Sequence, residues 1–209
     1  MRAPLLLYLG SASEALPLAA VLVTRRPAGG ARWVLAIWCA ALVACDATQL
    51  VLSLRGVHNL WVGYVAAAAN VLVLWALSYW QVGETGRLAL RVAIVPYLAV
   101  WAVLTFAVDD TSWFSRAADP MGQLICLAAA AYTLLARSIR SRADLVRQGW
   151  FWASAGVAFY FGIWCAMGPL GALLAGSPSR YLFALQVANL LNIGAMAAIA
   201  YGVTCTETT

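Results

Sequence analysis

Long apolar runs alternate with short polar breaks along this chain, and the clearest run lies between Arg32 and Arg55. Its 22 residues, WVLAIWCAALVACDATQLVLSL, carry one charge, Asp46. A helix of about 20 apolar residues crosses the ~30 Å hydrocarbon core of a bilayer. The flanking arginines and Trp33 fall where headgroups and water accept them. The pattern recurs and predicts seven spanning helices, at about 4–24, 33–54, 60–82, 87–108, 120–139, 150–175 and 181–203. Turn formers fill the breaks: Pro27 with Gly29 and Gly30, then Gly83 to Gly86, then Gly176 to Ser179. Pro96 predicts a kink in the fourth segment, and Gly168-Pro169 a bend in the sixth. Trp61 with Tyr64, and Tyr79 with Trp80, predict interfacial belts at the two ends of the third.

The expected fold class is therefore all-α: one domain, polytopic, a bundle of seven transmembrane helices. A cleaved signal peptide competes for the first segment, because Ser11-Ala12-Ser13 resembles a small-residue cleavage site. The stronger positive pair, Arg25-Arg26, follows the apolar run instead of preceding it, which favours a retained span.

Composition agrees. The chain is 64% hydrophobic and 10% charged, with a mean hydropathy of +0.84. Soluble domains carry about 25% charged residues, and the apolar excess here fits lipid as the outer solvent. All thirteen basic residues are arginine, which matches the coding habit of a GC-rich bacterial genome. Without lysine, no Schiff base to retinal or pyridoxal phosphate can form on a side chain, and no cofactor is expected. One histidine, His58, is too few for a histidine-rich zinc site, so no metal ligands are assigned. The five cysteines show no CxxC spacing and read as small packing residues.

The arginines also predict orientation. Nine (Arg25, Arg26, Arg32, Arg87, Arg91, Arg137, Arg140, Arg142 and Arg147) fall in the first, third and fifth connections. Four (Arg2, Arg55, Arg116 and Arg180) fall on the other side. The excess of positive charge stays in the cytoplasm. The N-terminus is then outside and the C-terminus inside, in a bacterial inner membrane. The arginines are spread over loops with no basic run, which excludes a nucleic-acid surface. Arg137, Arg140, Arg142 and Arg147 form a face for anionic lipid or a cytoplasmic protein partner, although orientation alone would also account for them.

On that topology, polar residues inside the spans fall at similar depths. Glu14 lies near the middle of the first segment. Asp46 is near the middle of the second, on one stripe with Cys39, Gln49 and Ser53. Asn70 follows in the third and Gln123 in the fifth, while Gln186, Asn189 and Asn192 step down the seventh. Five segments thus contribute to one outer-to-middle slab. The amides have two readings: interhelical hydrogen bonds worth about 0.6 kcal/mol each, or the lining of a ligand site. For Glu14 and Asp46 the functional reading leads, since a carboxylate at mid-membrane costs about 2.5–3.5 kcal/mol on insertion scales and no arginine lies at their depth. Other positions have an ordinary explanation that leads and a functional one behind it: His58 as a solvated loop residue or a gate at the outer rim, Asp109, Asp110 and Asp119 as a hydrated loop or an outer cation site, and Trp75, Trp101 and Trp164 as packing aromatics or the lining of a ligand pocket.

In helix number, orientation and short loops, the whole chain resembles the seven-helix sensor regions that precede bacterial signalling domains. That resemblance implies a non-enzymatic, receptor-like protein that binds a small molecule or ion. The chain stops at Thr209 without a kinase or cyclase domain, so signalling is expected to pass through a partner. A small proton-coupled transporter using Glu14 or Asp46 is the alternative, and an intramembrane hydrolase the third. No catalytic residue is assigned: Ser154 and His58 fall at opposite ends of their segments and cannot form a nucleophile–base pair.

Overall fold

A computed structural model describes residues 5–24, 29–81, 83–112, 115–141, 144–174 and 176–205. Among these, every regular element is helical: α1 (Leu5–Ser13), α2 (Leu16–Thr24), α3 (Gly30–Leu54), α4 (Trp61–Ala69), α5 (Val71–Tyr79), α6 (Glu84–Val92), α7 (Ile94–Val103), α8 (Ala118–Arg140), α9 (Gly149–Leu174) and α10 (Pro178–Thr204). Six stretches are long and apolar enough to cross a membrane, with α4–α5 and α6–α7 each counted as one. The α1–α2 pair makes a seventh if its 41° bend lies within one span.

That bend departs from the continuous first helix expected from hydropathy, and its cause is local. Pro17 has no N–H to offer the Ser13 carbonyl, and its ring crowds that same carbonyl. The chain tightens instead: Glu14 N–H donates to Ser11 O at 3.2 Å and Ala15 N–H to Ala12 O at 3.1 Å. The Ser13 hydroxyl folds back on Gly10 O at 2.6 Å. Glu14 therefore sits at the corner between two half-helices.

Two other spans are interrupted more gently. The fourth breaks at Ala93, three residues before Pro96, as proline geometry predicts, and closes in a π turn over Leu104–Val108. The third breaks at Asn70 without a proline. There the Tyr97 hydroxyl donates to Ala67 O at 2.6 Å, and Asn70 N–H turns to the same carbonyl at 3.2 Å. The sixth segment stays helical through Pro169 to Leu174. The belts of the third segment are also only half realised. Trp61 and Tyr79 are exposed, but Tyr64 and Trp80 are buried. The Tyr64 hydroxyl holds Asp110 O at 3.2 Å.

Packing closes six segments into a ring. The α1–α2 pair touches both α10 and α3; α3 meets α4 and α5; these meet α8; α8 packs on α9, and α9 on α10. The α6–α7 segment stands outside the ring, against α5 and α8, and is the least buried of the spans. This explains why its middle holds no carboxyl or amide. The α9–α10 seam is the closest approach. A Cβ on Gly156 would lie 2.7 Å from Ala195 O, and one on Gly202 would lie 2.7 Å from Gly149 O. Lipid tails are as apolar as the helices, so small residues that let backbones touch are a main source of association.

The connection before α8 is ordered by Asp109. Its carboxylate accepts from the N–H groups of Arg116, Ala117 and Ala118 at 3.1, 3.3 and 3.0 Å and from the Ser115 hydroxyl at 2.8 Å. It caps α8 from outside the helix, so this part of the expected hydrated loop is a built turn. Burial alone would raise the Asp109 pKa. The donors at Ala118, Ser115, Ala117 and Arg116 outweigh burial and hold it below the usual carboxylate range.

Gly202→Leu should lower the melting temperature in detergent and disturb the α9–α10 seam, whereas Gly194→Leu, with open space around its Cα, should not; equal losses from both would reject the close-packed seam. Asp109→Ala should cost about 1 kcal/mol, as for other lost helix caps. A carboxylate with a depressed folded pKa stabilises above its unfolded value, near 3.9, and loses that contribution as pH falls through the folded value. The wild-type advantage over Asp109→Ala should hold steady from pH 8 to 5 and shrink below about 4; a gap that widens on acidification would contradict the cap.

Candidate functional site

The ring encloses a cavity of about 420 Å³. Glu14, Asp46, Gln49, Asn70, Gln123, Asn189 and Asn192 all line it. Of the residues selected from sequence, only Gln186 stays outside; it is half-buried on α10, one turn beyond Asn189. The drift of an i, i+3, i+6 series around a helix accounts for this: Asn189 and Asn192 share the inner face, and Gln186 has rotated off it.

Each side chain is held by its own element. Asn189 packs against Gly10, where a Cβ would collide with its side chain, and its amide donates to Leu185 O at 2.8 Å. The Asn192 amide donates to Gly10 O at 3.4 Å and makes a second hydrogen-bond contact with Glu14. Asp46 meets Ser11 of α1. The Asn59 side chain bonds Gln49 O at 2.9 Å and fixes the end of α3 below the rim. Asn70 is set by three neighbours. Its side-chain oxygen accepts from the Trp38 indole at 3.2 Å, and its carbonyl accepts from the Cys126 thiol at 3.7 Å. The Tyr97 hydroxyl bonds the turn just before it.

Sequence reasoning missed four contributors. Asp119, expected in a hydrated loop, begins α8 and lines the cavity, accepting from Gln123 Nε2 at 2.8 Å. The four-residue spacing of Asp119 and Gln123 was the available signal, since it places both on one helical face. Tyr160, Phe161 and Trp164 of α9 form an aromatic wall. For Trp164 the pocket-lining alternative holds over the packing role that the sequence favours. In the fold Trp75 is exposed beside Arg91, and the Trp101 indole bonds Tyr64 O at 3.1 Å. Trp38 backs the wall, edge-on to Tyr160 with centroids 5.2 Å apart.

The polar accounting of this cavity does not close. Glu14 Oε2, Asn192 Oδ1 and Trp164 Nε1 are buried with no hydrogen-bond partner. Glu14 is 6% exposed and Asn192 1%. Buried polar atoms are almost always paired, since an unmet one costs about 1–3 kcal/mol. Two of the three are acceptors. Three carboxyls face the cavity, those of Glu14, Asp46 and Asp119, and among the described residues no arginine or histidine does. Glu14 and Asp46 lie close enough for their charges to interact. Among the described residues no three of His, Cys, Asp and Glu converge closely enough to hold a metal ion. The arrangement suits a donor-rich cation whose charge is spread over several contacts, with aromatic faces on one side.

Outside the cavity, His58 is exposed and its ring meets Ser112 O at 3.0 Å. The arginine face is partly engaged. Arg137 bonds Trp80 O at 3.2 Å and lies over the Trp150 ring at 4.8 Å, and Arg147 pairs with Asp144 at 3.5 Å on the surface. Arg140 is exposed, and Arg142 lies outside the described residues. Cys39 and Cys126 are buried, while Cys45, Cys165 and Cys205 are half-buried, and all five are free thiols.

No protein-family model, curated protein or solved structure matches this chain, so its functional reading rests on the chemistry of the cavity.

Proposed function

We propose that this chain is a seven-span membrane receptor or sensor that binds a small organic cation in the ring cavity. The observation that carries the reading is the unpaired set of Glu14 Oε2, Asn192 Oδ1 and Trp164 Nε1 around one space that holds three acids and, among the described residues, no base. An ammonium group supplies donors to the two oxygens. Its positive charge offsets Glu14 and Asp46, and the Tyr160 and Trp164 rings face it through their negative π surfaces. A neighbouring acceptor on the ligand takes the indole N–H. The volume falls in the ~300–1,000 Å³ range of small-molecule sites. The protein lies in a bacterial inner membrane with its N-terminus outside, so the cavity faces the outer half of the bilayer. A bound ligand is then reported inward to a partner at Arg137, Arg140, Arg142 and Arg147.

A second reading, proton-coupled transport, draws support from the break at Glu14. Discontinuous helices with polar groups at the break mark the substrate sites of many secondary transporters. Uptake of ethylammonium into proteoliposomes that collapses with the pH gradient would select transport over reception.

Ethylammonium should raise the melting temperature of the protein in nanodiscs and quench its tryptophan fluorescence; tetramethylammonium, which carries the charge but no N–H, should do so less, and ethanol and acetate should do neither. Glu14→Gln should weaken ammonium binding by about ten- to hundredfold, in line with the ~1.5–3 kcal/mol of a hydrogen bond to a charged group. Stabilisation by acetate equal to that by the amines, or by none of these probes, would sink the cation site. Orientation has its own test: in a cysteine-free background, a thiol at Ser112 should react with impermeant reagent from outside only, and one at Ser141 from the cytoplasm only. The reverse at both sites would invert the topology.

A further inference from the structure

A second hollow of about 490 Å³ adjoins the cavity between α1 and α3. The two share Leu7, Ser11, Asp46 and Gln49 as a common wall. Its far side differs in character. Tyr8 is 52% exposed and Leu50 46% exposed, and Ala12 and Ala47 are exposed too. These residues face the direction of lipid, so the hollow is a cleft in the side of the bundle.

The break at Glu14 produces this cleft. Beyond the bend α1 leans on α10, held by the Gly10–Asn189 contact and the Asn192–Gly10 bond, and it meets α3 less closely than α2 does. The outer half of α3 is thereby left uncovered. A continuous helix would have lain along α3 and shut it. The result places the Asp46 carboxyl between a polar chamber and an apolar slot. Ser11 meets that carboxyl, and a carboxylate at the border of lipid has further acceptor sites to fill. An ordinary acyl chain supplies nothing polar at that depth, whereas an amine with a chain attached does.

We infer that the ligand is a cationic amphiphile, a long-chain amine that enters sideways from the membrane. Its ammonium group occupies the acidic cavity past Asp46, and its alkyl chain lies in the cleft between α1 and α3. This rests on the cation site proposed above and adds to it the ligand's tail and its route. Ser11 and Gln49 line the passage, and their small or flexible side chains leave a headgroup room to pass.

The test uses the full chain in nanodiscs with a dodecylammonium probe that carries a diazirine at the end of its chain. Photolysis followed by peptide mass spectrometry should place adducts on α1 and α3, at Tyr8, Ala12, Val43, Ala47 or Leu50. Excess dodecylammonium should compete them away, and excess dodecanol should not. Labelling should fall at least tenfold in Asp46→Asn. Ala47→Phe fills the cleft from an exposed position, so it should lose the labelling while keeping the ethylammonium response. Adducts scattered around the lipid face, insensitive to competition, would overturn the amphiphile while an ethylammonium response left the cation site standing. Scattered adducts with no ethylammonium response would remove both.

Discussion

A carboxyl in a membrane must be kept from lipid, and this chain has to do so for three of them with no base at hand. That constraint sets the rotation of the helices. Glu14, Asp46 and Asp119 turn inward, and each brings its helix into the ring on the face it occupies. The α6–α7 segment, with no carboxyl or amide in its middle, is left outside, whereas α9, which has none either, enters by its aromatic and glycine faces. In a soluble protein the apolar surface would choose the inside. Here most of the spans are apolar on all sides, and the few polar residues mark which way is in.

Around that arrangement the ring is stiff in some places and loose in others. On the α3–α4–α8 side, Trp38, Asn70, Tyr97 and Cys126 are joined by hydrogen bonds that leave Asn70 little freedom. On the α9–α10 side, glycines bring backbones into contact. Between α1 and α3 the Asp46–Ser11 contact is the tie among the described side chains, with no glycine seam beside it. The wall of the chamber is rigid where amides and aromatics are set, and open where α1 has bent away.

Much of this was legible in the sequence. The apolar runs located the long helices to within a few residues, and the rarity of polar groups inside them picked out seven of the residues that line the cavity. Hydropathy does not see backbone hydrogen bonding, however, so the Pro17 break was hidden inside an unremarkable apolar window. Nor does it see which helices are neighbours. Trp164 looked like Trp75 and Trp101 until packing put one in the cavity, one on the surface and one against Tyr64. Gln186 fitted the stripe on α10 by spacing but rotated off it. Asp119 was read as a loop residue because its helix begins one residue earlier, capped by Asp109 from across a turn that no local pattern announces.

The ring closes by joining the first segment to the last. A ribosome delivers these segments in order, so α1 and α2 enter the bilayer well before α10 exists. Through that interval Glu14 has no Asn192 beside it, and Gly10 has no Asn189 to pack on. Asp46 arrives next, and its charge adds to the burden. An acid that waits in this way costs least near the water interface, and the corner at Glu14 lets α1 and α2 take different tilts meanwhile. The bend that opens the mature cleft is thus also the joint on which the nascent chain can wait for its final helix.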